Sequence, residues 1–248
     1  MLSKNKIKQI HALSLLKHRK AMRLFTAEGS RLVLDFLESD SRKVKELFAS
    51  PEWLKTHGNR YPEVIKHEVT GQEMKKISNL KTPSEVLAVI AMPDEDKTVS
   101  VEPGKWYLAL DGIRDPGNLG TIIRTAEWFG IDTIFCSADT VDVFNPKVVQ
   151  ATMGSLSRVS IVYTGLTELF QKYKNIPVYG TLLEGIDISG IKNPEQGFIL
   201  IGSEAQGISK ELIPHINYRI TIPPAETSKA ESLNASIAAA VVCYALLR

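Results

Sequence analysis

Between Trp106 and Pro223, short apolar runs alternate with segments of helical period, and that alternation leaves the chain few folds. The apolar runs are "WYLALDG", "TIFCSA", "RVSIVYT", "IPVYGTLL", "GFILIGSE" and "YRITIP". Most are separated by "LGTIIRTAEWFG", "PKVVQATMGSLS", "LTELFQKYK" or "KELIPHI", each predicted as a helix. Strands alternating with helices of about three turns imply a mostly parallel sheet covered on both faces. The expected fold class is therefore α/β. Ligands of such sheets bind beyond the carboxyl ends of the strands. Residues 111–118, 180–184, 202–207 and 223–234 are thus the segments to read for chemistry. The last helix, "LNASIAAAVVCYALL", is apolar on almost every side and must be buried in the core or in a subunit interface.

Ahead of this part the pattern is mixed. Residues 3–18 carry apolar side chains at helical spacing through Ile7, Ile10, Leu13 and Leu16. "GSRLVLDFLES" suits a helix starting near Gly29 or Ser30. "VKELFAS", "EVIKHEV" and "EVLAVIAM" suit strands, with "GQEMKKISNL" a short helix between the last two. The polar, proline-flanked stretch "PDEDKTVSVEPG", Pro93 to Gly104, reads as a linker. It divides the chain into a small α/β domain, 1–98, and a larger one, 99–248.

Composition narrows the function classes. Of 248 residues 44% are hydrophobic, ample for a core, yet no apolar run approaches the roughly 20 residues of a bilayer span. Lys8, Gln9 and His11 interrupt the N-terminal apolar residues, which argues against a secretory signal. Cys136 and Cys243 lie in apolar segments and read as buried free thiols of a reducing, cytoplasmic setting. No Cys and His stand at metal-ligand spacing, so no metal is expected. The formal net charge is only +2, but Lys4, Lys6, Lys8, Lys17, Arg19, Lys20 and Arg23 all precede the first acid, Glu28. Such clustering is either a footprint for nucleic-acid phosphates or a solvated basic face.

Three polar segments, two of them bearing glycine, follow buried strands. "GNLG", Gly117 to Gly120, has neither the lysine of a Walker loop nor the spacing of a dinucleotide fingerprint. It reads as a turn presenting Asn118. In the following helix Leu119, Ile122, Ile123, Ala126 and Phe129 form an apolar stripe, and Arg124 lies off it beside Thr121, Thr125 and Trp128. Arg124 is either a plain surface arginine or one presented to the strand ends. In "FILIGSEAQGIS", Gly202 would allow a ligand close to the backbone and Glu204 would stand at the mouth of the sheet. The same residues could instead cap a helix. In "ITIPPAETSKAESLNASIAAA", Ser232 is the expected N-cap of the last helix.

Jointly, "DPGNLGTIIRTAEWFG", "LIGSEAQGIS" and "IPPAETSKAESLNASIAAA" resemble the three signature motifs of the SpoU–TrmH family of RNA methyltransferases, within the SPOUT superfamily. The resemblance covers residues 106–248. The first hundred residues resemble, less specifically, the small substrate-binding domain that precedes the catalytic domain in many members. It implies a SPOUT domain with a C-terminal trefoil knot, S-adenosylmethionine as cofactor, a homodimer, and methyl transfer to a ribose 2′-hydroxyl of RNA. Ribosomal RNA is the preferred substrate by analogy, with transfer RNA, base methylation or a non-catalytic RNA-binding scaffold as alternatives. Residue by residue it implies roles for Asn118, Arg124, Glu204, Ser232 and Asn234 in catalysis. Gly180, Thr181, Leu182, Gly202, Ile222, Leu233 and Asn234 would hold the cofactor. Lys17, Arg19, Lys20 and Arg23 would bind RNA. Arg124 would act as a base or electrostatically. The sequence departs from the family pattern at Pro224, in a longer third-motif loop without glycine, and at Ser203 and Ala205.

Overall fold

The computed structural model describes residues 2–40, 43–93, 100–192 and 194–248. Contacts divide the chain into one unit of Met1–Lys97 with Asp142–Arg158 and another of Thr98–Val141 with Val159–Arg248. Half of the inferred linker, residues 94–99, lies outside the described residues.

The first unit begins with helices α1 (Lys4–Ala12) and α2 (Leu16–Met22), in place of the single helix expected over 3–18. The break has a visible cause: Arg19 folds back and donates to the carbonyl oxygens of Leu13 (2.8 Å) and Ser14 (2.7 Å). Strand β1 (Leu24–Glu28), α3 (Ser30–Asp40), β2 (Val44–Ala49), α4 (Pro51–His57), β3 (Ile65–Glu68), α5 (Gly71–Ile77) and β4 (Val86–Ala91) follow. Their sheet runs β1-β4-β2-β3. Of these, β1 and α4 escaped the sequence pattern. β1 is buried except at its first residue and shows no alternation, while α4 is a short helix of about two turns announced only by the Ser50 cap and Pro51. The core packs Ile10 and Leu13 against Phe48, Val69, Met74, Ile77 and Leu87.

Residues 142–158 belong to this unit, although sequence position assigns them to the second. Asp142 accepts from the Arg19 guanidinium at 2.6 Å, and Phe144 packs on Phe25 at 4.7 Å between ring centroids. Helix α6 (Pro116–Trp128) belongs to the other unit, and α7 (Pro146–Ala151) packs on β1 here.

The second unit is a six-stranded sheet of β5 (Trp106–Asp111), β6 (Thr133–Cys136), β7 (Ser160–Tyr163), β8 (Val178–Asp187), β9 (Gly197–Gly202) and β10 (Tyr218–Thr221). Its order is β10-β8-β9-β5-β6-β7 and every pairing is parallel, as the alternation of strands and helices implied. Helices α6 (Pro116–Trp128), α8 (Leu166–Lys172) and α9 (Ala235–Leu246) accompany it. "KELIPHI" makes only a 3-10 turn, Ile213–His215, because Pro214 interrupts the helical ladder. Tyr107, Phe135, Phe170 and Phe198 pack together in the core.

The strand order reverses between β5 and β9. From β5 the chain steps outward through β6 and β7, then returns to build β8, β9 and β10 on the other side. Such a switch point opens a crevice at the carboxyl ends, here beyond the register pair Asp111 and Gly202. Among the described residues no helix is long and apolar enough to cross a membrane.

Candidate functional site

The segment leaving β5 starts α6 at once. Asp115 is the N-cap and its Oδ1 accepts from the Asn118 N–H at 2.8 Å, with Pro116 at the first helical position. "GNLG" is therefore not a turn but the opening of the helix, and Asn118 is its third residue. A Cβ at Gly117 would approach Asp115 Oδ1 to 3.0 Å, so glycine leaves the capping carboxylate its place.

The segment leaving β9 is a tight loop. Ser203 N–H donates to Gly207 O at 3.1 Å and Gly207 N–H returns the bond to Ser203 O at 2.8 Å. Glu204 is thrown outward at its tip. Gly202 serves this loop: a Cβ there would lie 2.2 Å from the Gly207 carbonyl carbon. The space expected for a ligand at Gly202 is thus taken by the chain itself. The loop is tethered to β5 by Asp111, a buried carboxylate whose Oδ2 accepts from the Ser209 N–H at 2.7 Å. Sequence reading passed over Asp111; its signal was an acid ending an otherwise apolar strand.

The third segment enters α9. Asn234, not Ser232, is the N-cap: its Oδ1 accepts from the Ser236 N–H at 3.0 Å and the Ser236 hydroxyl at 2.6 Å. An asparagine cap leaves its amide NH₂ free, and Asn234 Nδ2 donates to Asn118 Oδ1 at 3.0 Å and reaches Glu204 Oε1 at 3.5 Å. Asn118 Nδ2 in turn donates to Glu204 Oε1. Residues from three separate segments therefore close one polar triangle. α6 and α9 pack together and hold two of its corners.

Arg124 stands six residues beyond Asn118, about 9 Å along the helix axis. It is exposed, with no hydrogen-bond or ion-pair partner among the described residues. Ser232 is likewise exposed and outside the triangle. Of the remaining expected residues, Gly180 is buried in the ladder, where a Cβ would meet Ile216 at 2.5 Å. Thr181 and Leu182 fall where β8 leaves β10: the pairing jumps from Arg219–Gly180 to Ile220–Ile186. This irregularity exposes Leu183 at the carboxyl edge. Thr181 anchors it by donating to Leu200 O at 3.1 Å. Ile222 is half-buried and Leu233 exposed. Their N–H groups donate to no protein group among the described residues. The edge of β8, β9 and β10 thus offers apolar side chains beside open backbone donors, a surface that suits a small partly apolar ligand.

Of the basic residues expected to bind RNA, Lys17 and Lys20 are exposed. Arg23 is half-buried and donates to Pro93 O. Arg19 must be withdrawn from that surface. It is 2% exposed, and its donors go to Asp142 and to two backbone carbonyls of the chain break. Lys6 is also committed, to Glu46 at 2.9 Å. Cys136 and Cys243 are free and buried, and burial pushes both thiols up, so neither serves as a nucleophile near neutral pH. Among the described residues no group of three or more His, Cys, Asp or Glu could hold a metal ion.

Comparison with known proteins places this geometry. Residues 105–244 match the model of the SpoU rRNA Methylase family, and residues 4–88 match an MRM3-like substrate binding domain. The 23S rRNA (guanosine(2553)-2′-O)-methyltransferase RlmP of Bacillus subtilis is 29% identical over 97% of this chain and 95% of its own. A TrmH-family protein from Porphyromonas gingivalis superposes with a TM-score of 0.89 at 36% identity, covering 99% of this chain and 98% of the other. An AdoMet-bound rRNA methyltransferase from Sinorhizobium meliloti gives 0.85 at 32% identity, over 99% and 95%.

Proposed function

Because the chain belongs to the SpoU rRNA methylase family, we propose that it transfers a methyl group from S-adenosylmethionine to a ribose 2′-hydroxyl of structured RNA, with ribosomal RNA as substrate. The observation that carries this reading is the triangle of Asn118, Glu204 and Asn234 at the β5/β9 switch point, with an unpaired Arg124 on the helix that holds Asn118. The relatives support the substrate class: one is named a 23S rRNA 2′-O-methyltransferase and another was crystallised with AdoMet.

When bound, S-adenosylmethionine supplies an electrophilic methyl group on a sulfonium. Ile222 and Leu233, through their open N–H groups, and Leu182, through its apolar side chain, are the residues placed to hold it. Transfer is an in-line displacement, so alignment of the ribose hydroxyl is the protein's main task. Arg124 is assigned to that step. Arg124 orients the neighbouring phosphate and stabilises the developing alkoxide, and the hydroxyl's proton passes to solvent as the oxygen takes the methyl group from sulfur. Glu204 accepts from both amides and so fixes Asn118 and Asn234, while Asn234 also starts α9. These are positioning roles. Ser232, released from capping, is free to turn toward the ribose.

The same reading divides the labour between the parts of the chain: residues 1–98, joined by 142–158, hold the RNA and the rest of 99–248 carries out the transfer. It also makes the C-terminal segment a trefoil knot and the protein a cytoplasmic homodimer that needs no metal. The dimer is supported by α9, whose buried side carries Ala239, Val242, Cys243 and Leu246 while Ile237, Val241 and Tyr244 form an exposed stripe. A second copy is the natural cover for such a stripe.

Arg124→Ala is the direct test. Single-turnover methyl transfer should fall by at least about two orders of magnitude while calorimetry shows cofactor binding unchanged. A variant that transfers at nearly the normal rate would remove Arg124 from the mechanism.

A further inference from the structure

The first unit contains a cavity of about 300 Å³ where α7 packs on β1. Its volume is at the lower end of ligand sites, enough for one planar heterocycle and not for a folded polymer segment. Leu80, Pro146 and Ala151 give it apolar walls.

Its polar groups are arranged but unspent. Thr26 lines the cavity and is 2% exposed, and its Oγ1 has no hydrogen-bond partner. A buried hydroxyl left in that state is destabilising, and a ligand that bonds to it recovers the loss. Glu28, 4% exposed, shapes the adjoining wall by accepting from the Ser78 hydroxyl at 2.6 Å and the Asn79 N–H at 2.7 Å. Those bonds hold Asn79 beside the cavity with its Oδ1 free of any partner among the described residues. Across from it, the Gln150 amide makes no hydrogen bond at all among the described residues. An amide carries both donors and an acceptor, the combination that reads the edge of a nucleobase.

The mouth is basic. Lys147 lines it, and Lys81 follows the lining residue Leu80 directly; both are exposed and form no ion pair. Apolar walls, the unspent Gln150 amide, the open Asn79 Oδ1 and lysines without ion pairs together describe a base with phosphates on either side, the Asn79 NH₂ being held by Glu28 at 3.4 Å. We propose that this cavity receives an unpaired nucleobase of the RNA substrate, with Gln150 and Asn79 on the base edge and Lys147 and Lys81 on the flanking phosphates. Recognition of RNA by splayed-out bases follows the same logic. The inference rests on the functional reading above and adds to it a second anchoring point, in the unit that does not carry the triangle.

The test uses the full chain with an unmethylated 23S rRNA transcript and, in parallel, free nucleoside 5′-monophosphates. Gln150→Ala and the cavity-filling Ala151→Leu should each weaken transcript binding about tenfold, within the range a single held base contributes. Lys147→Ala should lower the salt slope of binding by about one, which Gln150→Ala should not. Cofactor affinity and thermal unfolding should match the parent chain in all three, which shows that the site nearer the chemistry is intact. Transcript affinity unchanged in Gln150→Ala and Ala151→Leu would overturn the inference while leaving the methyltransferase reading standing. Binding of monophosphates that Ala151→Leu abolishes, with transcript affinity untouched, would also overturn it by assigning the cavity to a free nucleotide. A parent chain that binds no cofactor would instead sink the functional reading itself.

Discussion

Asn234 illustrates how much one side chain does here. Its Oδ1 caps α9 and its Nδ2 ties Asn118 and Glu204 together. The two tasks can be separated by substitution. Asn234→Ala should lose about 1 kcal/mol of stability, the usual value of a cap, together with transfer activity. Asn234→Asp keeps a capping oxygen but replaces the NH₂ donor by a carboxylate beside Glu204. It should unfold like the parent yet transfer methyl at least about tenfold more slowly. Equal activity in Asn234→Asp would show that the cap alone matters. Arg19 makes the opposite point. Sequence position groups it with Lys17 and Lys20, yet its guanidinium is enclosed by Asp142 and the carbonyls of Leu13 and Ser14. Arg19→Ala should cost about 2–3 kcal/mol in denaturant unfolding, less than a fully enclosed pair because Asp142 keeps 21% exposure. RNA affinity measured well below the unfolding transition should barely change. A stable variant with weakened RNA binding would return Arg19 to the surface group.

At the scale of elements, the carboxyl-end rule pointed to the segments that form the polar triangle, because every strand of the second sheet is parallel. Asn118, Glu204 and Asn234 were legible from their places just past β5, β9 and β10. Cap identity was less so. Ser232 and Asn234 are equally good capping residues, and only the backbone shows which of them has the non-helical conformation that starts α9. The role of Gly202 was also hidden, since close approach by a ligand and close approach by Gly207 ask the same of the sequence. The short elements β1 and α4 lack enough residues to display a period. α9 carries the prediction that belongs to this scale. Its exposed Ile237, Val241 and Tyr244 recur at helical spacing, so a charge at the middle position should be tolerated by the fold and not by a dimer. Val241→Glu should elute as a monomer in light-scattering chromatography with unfolding unchanged. A parent chain that is itself monomeric would remove the interface.

The whole molecule unites a basic N-terminal unit with a parallel sheet whose switch point gathers residues from three distant segments. Sequence order hid one feature of that organisation. Residues 142–158 follow β6 in the chain but pack with the first unit, because Asp142 answers a buried arginine more than a hundred residues earlier. Composition could not have shown this, since a long-range ion pair has no local pattern. The central claim is that this assembly methylates a ribose hydroxyl of RNA. The most direct measurement incubates the protein with methyl-labelled S-adenosylmethionine and unmethylated 23S rRNA, then digests the RNA completely with alkali. A methylated 2′-oxygen cannot attack its phosphate, so the account predicts label in alkali-resistant dinucleotides and its loss with Arg124→Ala. Label released only as mononucleotides, or no label from a chain that binds the cofactor, would contradict it.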